Sequence, residues 1–273
     1  MKTSFCSIAF RKSPKNIADI IPIIADLGYD AIEVWGNHFG DIPLSDIVDL
    51  TKDHGLAVSM LSPYMDFTAG KESYRRSLET ADDFLAKATV LGAPNIRVFT
   101  GFVGSADATP TEWSEAVAGL SQLSRMAAGS GINFALETHP KTLVDTVEST
   151  KRLLIDTDAE NLRLNLDIFH MWEVHKEPLW VLGQLRPFVS HVHAKNADLP
   201  PMVDSHHPLL HDKQGLQNIV GVTYLEDGKM YYPDFLKALE LSDYDGYVSI
   251  EWFGENVIDA AGHELEYLWS CKG

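Results

Sequence analysis

Cysteine is scarce in this chain: Cys6 and Cys271 stand at opposite ends of 273 residues. That excludes a disulfide framework and any zinc-finger spacing. A reducing cytoplasm is the simplest compartment for such a composition. Long apolar runs are also missing, so no segment has the length of a membrane span. The first residues, MKTSFCSIAFRKSP, hold a short apolar stretch that Arg11 and Lys12 end early, too brief for a secretory signal. The chain therefore reads as soluble and unprocessed. Positive charge is in deficit, with 22 Lys and Arg against 39 Asp and Glu and a net charge of −17. A surface of that sign argues against non-specific nucleic-acid binding and against docking on anionic membranes. A small anionic substrate fits only where local Arg or Lys groups overturn the global field. Low-complexity tracts, long linkers and composition shifts are absent too. Nothing marks a domain boundary, and residues 1–273 read as one unit. The oligomeric state, a homo-oligomer included, stays open.

What is present is an ordinary globular balance, 45% hydrophobic and 22% charged. Short β-rich runs alternate with amphipathic stretches closed by Gly or Pro. The strand candidates are Ser4–Phe10, Ala31–Trp35, Ala57–Ser62, Ile96–Thr100, Asn133–Thr138, Arg163–Ile168, Val189–Ala194 and Tyr247–Trp252. Ser13-Pro14 reads as a cap and first turn for a helix carrying Ile17, Ile20, Ile21 and Ile24, closed by Gly28, with Pro22 a misfit inside it. Further helices are expected near Ser45–His54, Lys71–Leu91, Thr111–Gly129, Val147–Ile155, Pro178–Leu185, Pro233–Leu241 and Asn256–Trp269. This many β/α units predict a single (β/α)8 TIM barrel. An open doubly wound sheet is disfavoured, because no Gly-rich dinucleotide fingerprint follows the first strand. Residues 196–232 form a long connection without clear periodicity. In a barrel it would hang over the C-terminal face, where the chemistry of this architecture sits.

Late in successive strands the apolar run is broken by charged or imidazole groups. NFALETHP carries Glu137 and His139; RLNLDIFH carries Asp167 and His170. SHVHAKN carries His191, His193 and Lys195, and YVSIEWFG carries Glu251. Side chains two apart share a strand face. Clustered carboxylates repel strongly in a low-dielectric site, and a cation relieves this. A dication held by Glu137, Asp167, His193 and Glu251 leaves one net negative charge and open positions for substrate or water. Three carboxylates and one imidazole favour Mn²⁺ or Mg²⁺, with Co²⁺ or Zn²⁺ as alternatives. Singly, each has a duller use: Glu137 at the rim, His193 in the core, Asp167 as a helix cap. Glu33 and His38 read as groups behind the site or at the rim. Arg97, in an apolar strand, needs a carboxylate partner, from the protein or from a substrate. His206, His207 and His211 are of a type that binds metal, but they read better as parts of a flexible polar lid.

The runs LETHPKTLVDT, LNLDIFHMWE, LRPFVSHVHAKN and VSIEWFG resemble the barrel strands of the xylose-isomerase-like superfamily. Within it the closer resemblance is to the 3-dehydroshikimate dehydratases of siderophore and quinate pathways. The resemblance implies a divalent-metal lyase that turns 3-dehydroshikimate into protocatechuate. It implies Glu137, Asp167, His193 and Glu251 as metal ligands and His139 as general base. His170 and Lys195 would be further active-site groups, and Tyr64, Arg97 and Lys195 would contact a small carboxylate substrate. The residues by themselves also admit a sugar or keto-acid isomerase or epimerase, because metal-assisted enolisation starts all three reactions. A DNA-repair endonuclease is opposed by the acidic charge, and a non-catalytic barrel is the remaining alternative.

Overall fold

The barrel staves alternate an outward apolar residue with an inward small or polar one. Phe5, Ile32, Ile96, Val98, Phe134, Leu136, Leu164, Leu166, Val192 and Val248 join the main apolar cluster. Between them lie Ser4, Glu33, Asn95, Arg97, Glu137, Asn165, Asp167, His191, His193 and Ser249, all buried. The outward set packs against helices and drives folding. The inward set pairs within itself and with polar groups at the strand ends, Ser62 on Glu33 and Lys195 on Asp167 among them, so this barrel encloses a polar column.

The structure, a computed structural model, describes residues 1–174, 176–198 and 221–271. Its strands are β1 (Lys2–Cys6), β2 (Ala31–Trp35), β3 (Ala57–Ser62), β4 (Asn95–Val98), β5 (Asn133–Glu137), β6 (Leu162–Asp167), β7 (Val189–Ala194), β8 (Asn196–Ala197), β9 (Val222–Thr223) and β10 (Tyr247–Ile250). All but β8 and β9 form a closed parallel barrel in the order β1-β10-β7-β6-β5-β4-β3-β2. The helices are α1 (Ile17–Leu27), α2 (Leu44–Asp53), α3 (Lys71–Leu91), α4 (Pro110–Met126), α5 (Val147–Thr157), α6 (Ile168–Glu173), α7 (Pro178–Leu185), α8 (Tyr232–Leu241) and α9 (Val257–Ser270). Among the described residues no helix is long and apolar enough to cross a membrane.

Several boundaries differ from the sequence reading. The first strand ends at Cys6, and Ser7–Phe10 winds into a 3₁₀ helix. Asn16, not Ser13, caps α1: its side chain accepts from Asp19 N, and the Asp19 carboxylate accepts from Asn16 N. Such a reciprocal pair satisfies two otherwise orphaned donors. Pro22 lies within α1, which runs on to Leu27 and stops where Gly28 adopts φ 98°. The fourth strand ends at Val98, because Thr100 turns its hydroxyl to accept from Leu143 N at 3.1 Å. Helix α6 was not expected, since its six residues are too few for a periodic signal.

Part of the long connection lies among the described residues. β8 and β9 pair antiparallel, Asn196 against Thr223. The Asn196 amide donates to Leu225 O and Met230 O, each at 2.8 Å, and its oxygen accepts from Ala197 N and Met230 N. Gly228 packs so closely on Asn196 that a Cβ there would lie 2.0 Å from its Cγ. Tyr232 donates to Lys195 O at 2.7 Å and accepts from Lys195 N at 3.1 Å. His206, His207 and His211 lie outside the described residues.

Candidate active site

Strand register sets the level of the polar groups. Glu137 pairs with Asn165 across β5 and β6, and Asp167 with His193 across β6 and β7. His193 in turn pairs with Ser249 on β10, two residues before Glu251. One ligand atom from each of Glu137, Asp167, His193 and Glu251 lies within 4.8 Å of the others, and all four residues are buried. A single metal ion can span that spacing. His193 Nδ1 stands 3.8 Å from Glu137 Oε1, 3.8 Å from Asp167 Oδ2 and 3.7 Å from Glu251 Oε2. Its Nε2 faces away, 2.9 Å from Glu33 Oε2. A proton on Nε2, donated to Glu33, aims the Nδ1 lone pair into the cluster; carboxylate-backed metal histidines are arranged this way.

Local structure holds each group. Thr138 Oγ1 donates to Asp167 O and accepts from Asp167 N. The Asp167 carboxylate also caps α6, accepting from His170 N at 3.2 Å. Its duller reading as a helix cap and its place in the cluster are thus both realised. His139 follows β5, and its Nδ1–H donates to Pro140 O at 2.7 Å, which leaves Nε2 as the basic nitrogen. His170 lies on α6 with Nδ1 2.5 Å from Glu173 Oε2 and Nε2 3.5 Å from Asp167 Oδ2. The two imidazoles stand 4.3 Å apart. Glu137, His139 and His170 form a second group with ligand atoms within 4.8 Å, and Glu33, His191 and His193 a third.

Electrostatics tests whether these residues suit a cation. Lys195 Nζ lies 2.5 Å from Asp167 Oδ2 and 2.6 Å from Glu251 Oε2, an ammonium standing among carboxylates. Burial opposes that charge, but Asp167, Glu251 and Glu137 override it and raise the Lys195 pKa. Burial also works against ionised Asp167; His170, Lys195 and His193 outweigh it and hold the carboxyl below its ordinary range. Glu137 is pushed up to about 7 by burial, with Glu251 adding to the rise, despite Arg97, His193 and Lys195. Burial opposes a charge on His193, and Glu33, Glu251, Asp167 and Glu137 nevertheless raise its pKa well above the ordinary value. The cluster therefore gathers protons and an ammonium to offset its negative charge. A dication would do the same, so the donor set fits a hard divalent ion.

Arg97 is placed by the fold more than the sequence suggested. Its Nη1 donates to Glu137 Oε2 at 3.1 Å and its Nη2 to Ser62 O at 3.4 Å. Its guanidinium lies 4.7 Å from the Tyr64 ring and 5.0 Å from the Phe99 ring. Nε, also buried, has no hydrogen-bond partner among the described residues, so its N–H is a donor beyond those the protein uses. Glu33 lies at the centre of the barrel rather than at its rim. It accepts from Ser62 Oγ at 2.5 Å and meets His191 Nε2 at 3.2 Å as well as His193. Burial alone would raise its pKa, but His193 and His191 bring it well below the ordinary value. His38 is buried elsewhere, with Nδ1 3.0 Å from Ser7 Oγ.

Two groups were missed by sequence reasoning. Glu173 backs His170, and burial pushes it up to about 8; its i,i+3 spacing from His170 was the available signal. Arg11, just past the first strand, donates to Phe253 O at 3.0 Å and lies 4.7 Å from the Phe253 ring. Its position in the first βα loop places it on the C-terminal face.

The chain belongs to the xylose isomerase-like TIM barrel family, whose profile matches residues 21–271. Over 98% of its length it is 31% identical to the 3-dehydroshikimate dehydratase of Bacillus anthracis, covering 96% of that protein. The crystal structure of the probable 3-DHS dehydratase AsbF, involved in petrobactin synthesis in Bacillus anthracis, matches with a TM-score of 0.86 and 30% identity. That match covers 98% of this chain and 99% of the other. L-ribulose 3-epimerase matches with a TM-score of 0.80 over 99% of this chain and 94% of its own. At 18% identity that likeness extends to the fold alone.

Proposed function

We propose that this chain is a divalent-metal-dependent 3-dehydroshikimate dehydratase that releases protocatechuate and water. The observation that carries the substrate is the full-length relationship to the Bacillus anthracis dehydratase; the site carries the class of chemistry. Glu137, Asp167, His193 and Glu251 would hold the cation, and their donor set suits Mn²⁺ or Mg²⁺ ahead of Co²⁺ or Zn²⁺. When bound, a divalent ion supplies a Lewis acid for a carbonyl oxygen and lowers the cost of enolisation beside it.

The protein side of the reaction follows from the hydrogen bonds. His139 Nε2 removes the proton from the carbon between the ketone and the β-hydroxyl-bearing carbon, and Pro140 O keeps the tautomer that makes Nε2 basic. The electron pair left behind expels the β-hydroxyl, which departs as water after taking a proton. His170 and its Glu173 partner stand beside His139 and supply that proton. Enolisation of the remaining ketone completes the aromatic ring and makes the sequence strongly downhill. Lys195 pairs with Asp167 and Glu251; with a divalent ion on those carboxylates, its ammonium would be left to serve the substrate. Arg97, with Nε left over, and Tyr64 complete a local positive wall for the carboxylate in an acidic protein.

The test is incubation of protein loaded with Mn²⁺, Mg²⁺ or Co²⁺ with 3-dehydroshikimate. Aromatic ultraviolet absorption should appear with each turnover. A flat trace with all three ions overturns the reading. Solvent-deuterium uptake by a ketose without loss of water would replace it with an isomerase or epimerase.

A further inference from the structure

The mouth of the barrel has a second, nitrogen-rich edge. Glu137, His139 and His170 each bring one ligand atom within 4.8 Å of the other two, and all are buried. Each imidazole is held by its Nδ1, His139 on Pro140 O at 2.7 Å and His170 on Glu173 Oε2 at 2.5 Å. A carbonyl or carboxylate on one ring nitrogen sets the tautomer and aim of a metal-binding histidine, with the other nitrogen as donor. That assigns Nε2 as the donor in both rings; in His170 it faces Asp167 Oδ2 at 3.5 Å, a contact that an ion would replace.

The chemistry of this edge differs from that of its neighbour. The group of Glu137, Asp167, His193 and Glu251 has three carboxylates and one imidazole; the edge has two imidazoles and one carboxylate. Imidazole donors suit Zn²⁺, whereas Mg²⁺ prefers oxygen. Glu137 belongs to both groups, and a carboxylate offers about four lone-pair sites. Arg97 uses one of them, on Oε2. Two ions sharing it would sit as in two-metal sites, about 3.5–4 Å apart. Charge permits this. Glu33, Glu137, Asp167, Glu173 and Glu251 surround the region against Lys195 and Arg97, all buried. Two dications leave it within one charge of neutrality.

We infer that Glu137, His139 and His170 form a second cation site, selective for Zn²⁺ over Mg²⁺, whose filling blocks turnover by taking the Nε2 lone pair of His139. The blocking half rests on the reading of His139 as the base; the binding half does not.

The experiment is zinc-edge anomalous diffraction on wild-type crystals, joined to equilibrium dialysis with Zn²⁺ and with Mg²⁺. Two anomalous peaks are expected, one of them flanked by Glu137, His139 and His170. Dialysis should find two Zn²⁺ per wild-type chain, one per His170→Gln chain, and one Mg²⁺ in either. Glu173→Gln removes the carboxylate behind His170 and should weaken the second Zn²⁺ by about 10–100-fold. A single peak at saturating Zn²⁺, or equal zinc counts in wild type and a folded His170→Gln, overturns the site. The diffraction arm needs no variant, so a misfolded substitution leaves it decisive. These arms read binding whether or not 3-dehydroshikimate is the substrate. In a dehydratase assay, Zn²⁺ beyond the first equivalent should suppress turnover reversibly while excess Mg²⁺ does not. Undiminished turnover with both zincs bound overturns the blocking role alone.

Discussion

The two sides of the barrel mouth are built from opposite materials. On the β5, β6, β7 and β10 side stand Glu137, Asp167, His193 and Glu251, groups that repel one another or wait for a proton. On the β2, β3 and β4 side stand Glu33, Ser62 and Arg97, which touch the first set through His193 and Glu137. One side carries groups suited to reaction, and the other orients them and offsets their charge. A reactive cluster of buried charge is tolerable only beside such a backing, because an unpaired buried ion costs several kcal/mol.

Substitutions can separate the two sides. His139→Ala should have the largest effect, cutting turnover by about 10²- to 10⁴-fold, the usual worth of a positioned base. In protein loaded with Mn²⁺ or Mg²⁺, its metal content should stay at the wild-type level in elemental analysis, because His139 is not one of the four residues that would hold that ion. Glu251→Gln should instead strip metal and lose activity only as a consequence. If both variants keep metal and turn over, the reactive side has been misassigned. Glu33→Gln attacks the backing. It should weaken metal affinity by about 10–100-fold in a chelator competition. Unchanged affinity would mean that His193 is aimed without Glu33, and the contrast between the sides would fall.

The smallest effect lies away from both. Glu264 on α9 is buried and accepts from Leu225 N at 3.1 Å. Burial pushes its carboxyl up to about 8, with Glu226 and Asp227 adding to the rise and the Leu225 bond opposing it. The folded state then binds more protons than the unfolded one between the ordinary carboxylate range and about pH 8. Stability should therefore fall as pH rises through that window, by up to about 1.4 kcal/mol per pH unit. Glu264→Gln should flatten the slope in thermal melts without changing metal content. An identical slope in both proteins would remove Glu264 as its source.

Much of the barrel was legible because alternation is local. NFALE and RLNLD state in five letters each which residues face outward, and repetition of that pattern with helices between implies closure. The ends were less legible. Thr100 and Ser7–Phe10 leave the strand direction because of a hydroxyl–backbone bond and a 3₁₀ turn, and β-propensity registers neither. The convergence of Glu137, Asp167, His193 and Glu251 was anticipated from their shared level. The partner of Arg97 was left between protein and substrate, and Glu33 between a place behind the site and the rim.

By itself the sequence determined the number and order of staves, their inward and outward faces, and the residue types at their tips. These follow from a period of two and from turn chemistry. Only the closed tertiary structure decided that Glu33 backs a histidine 160 positions later in the chain, and that Arg97 spends its charge on Glu137. It also decided that Lys195 rests between two carboxylates. Such pairs join residues far apart in sequence across the inside of the barrel, and no local pattern encodes which inward side chains will meet.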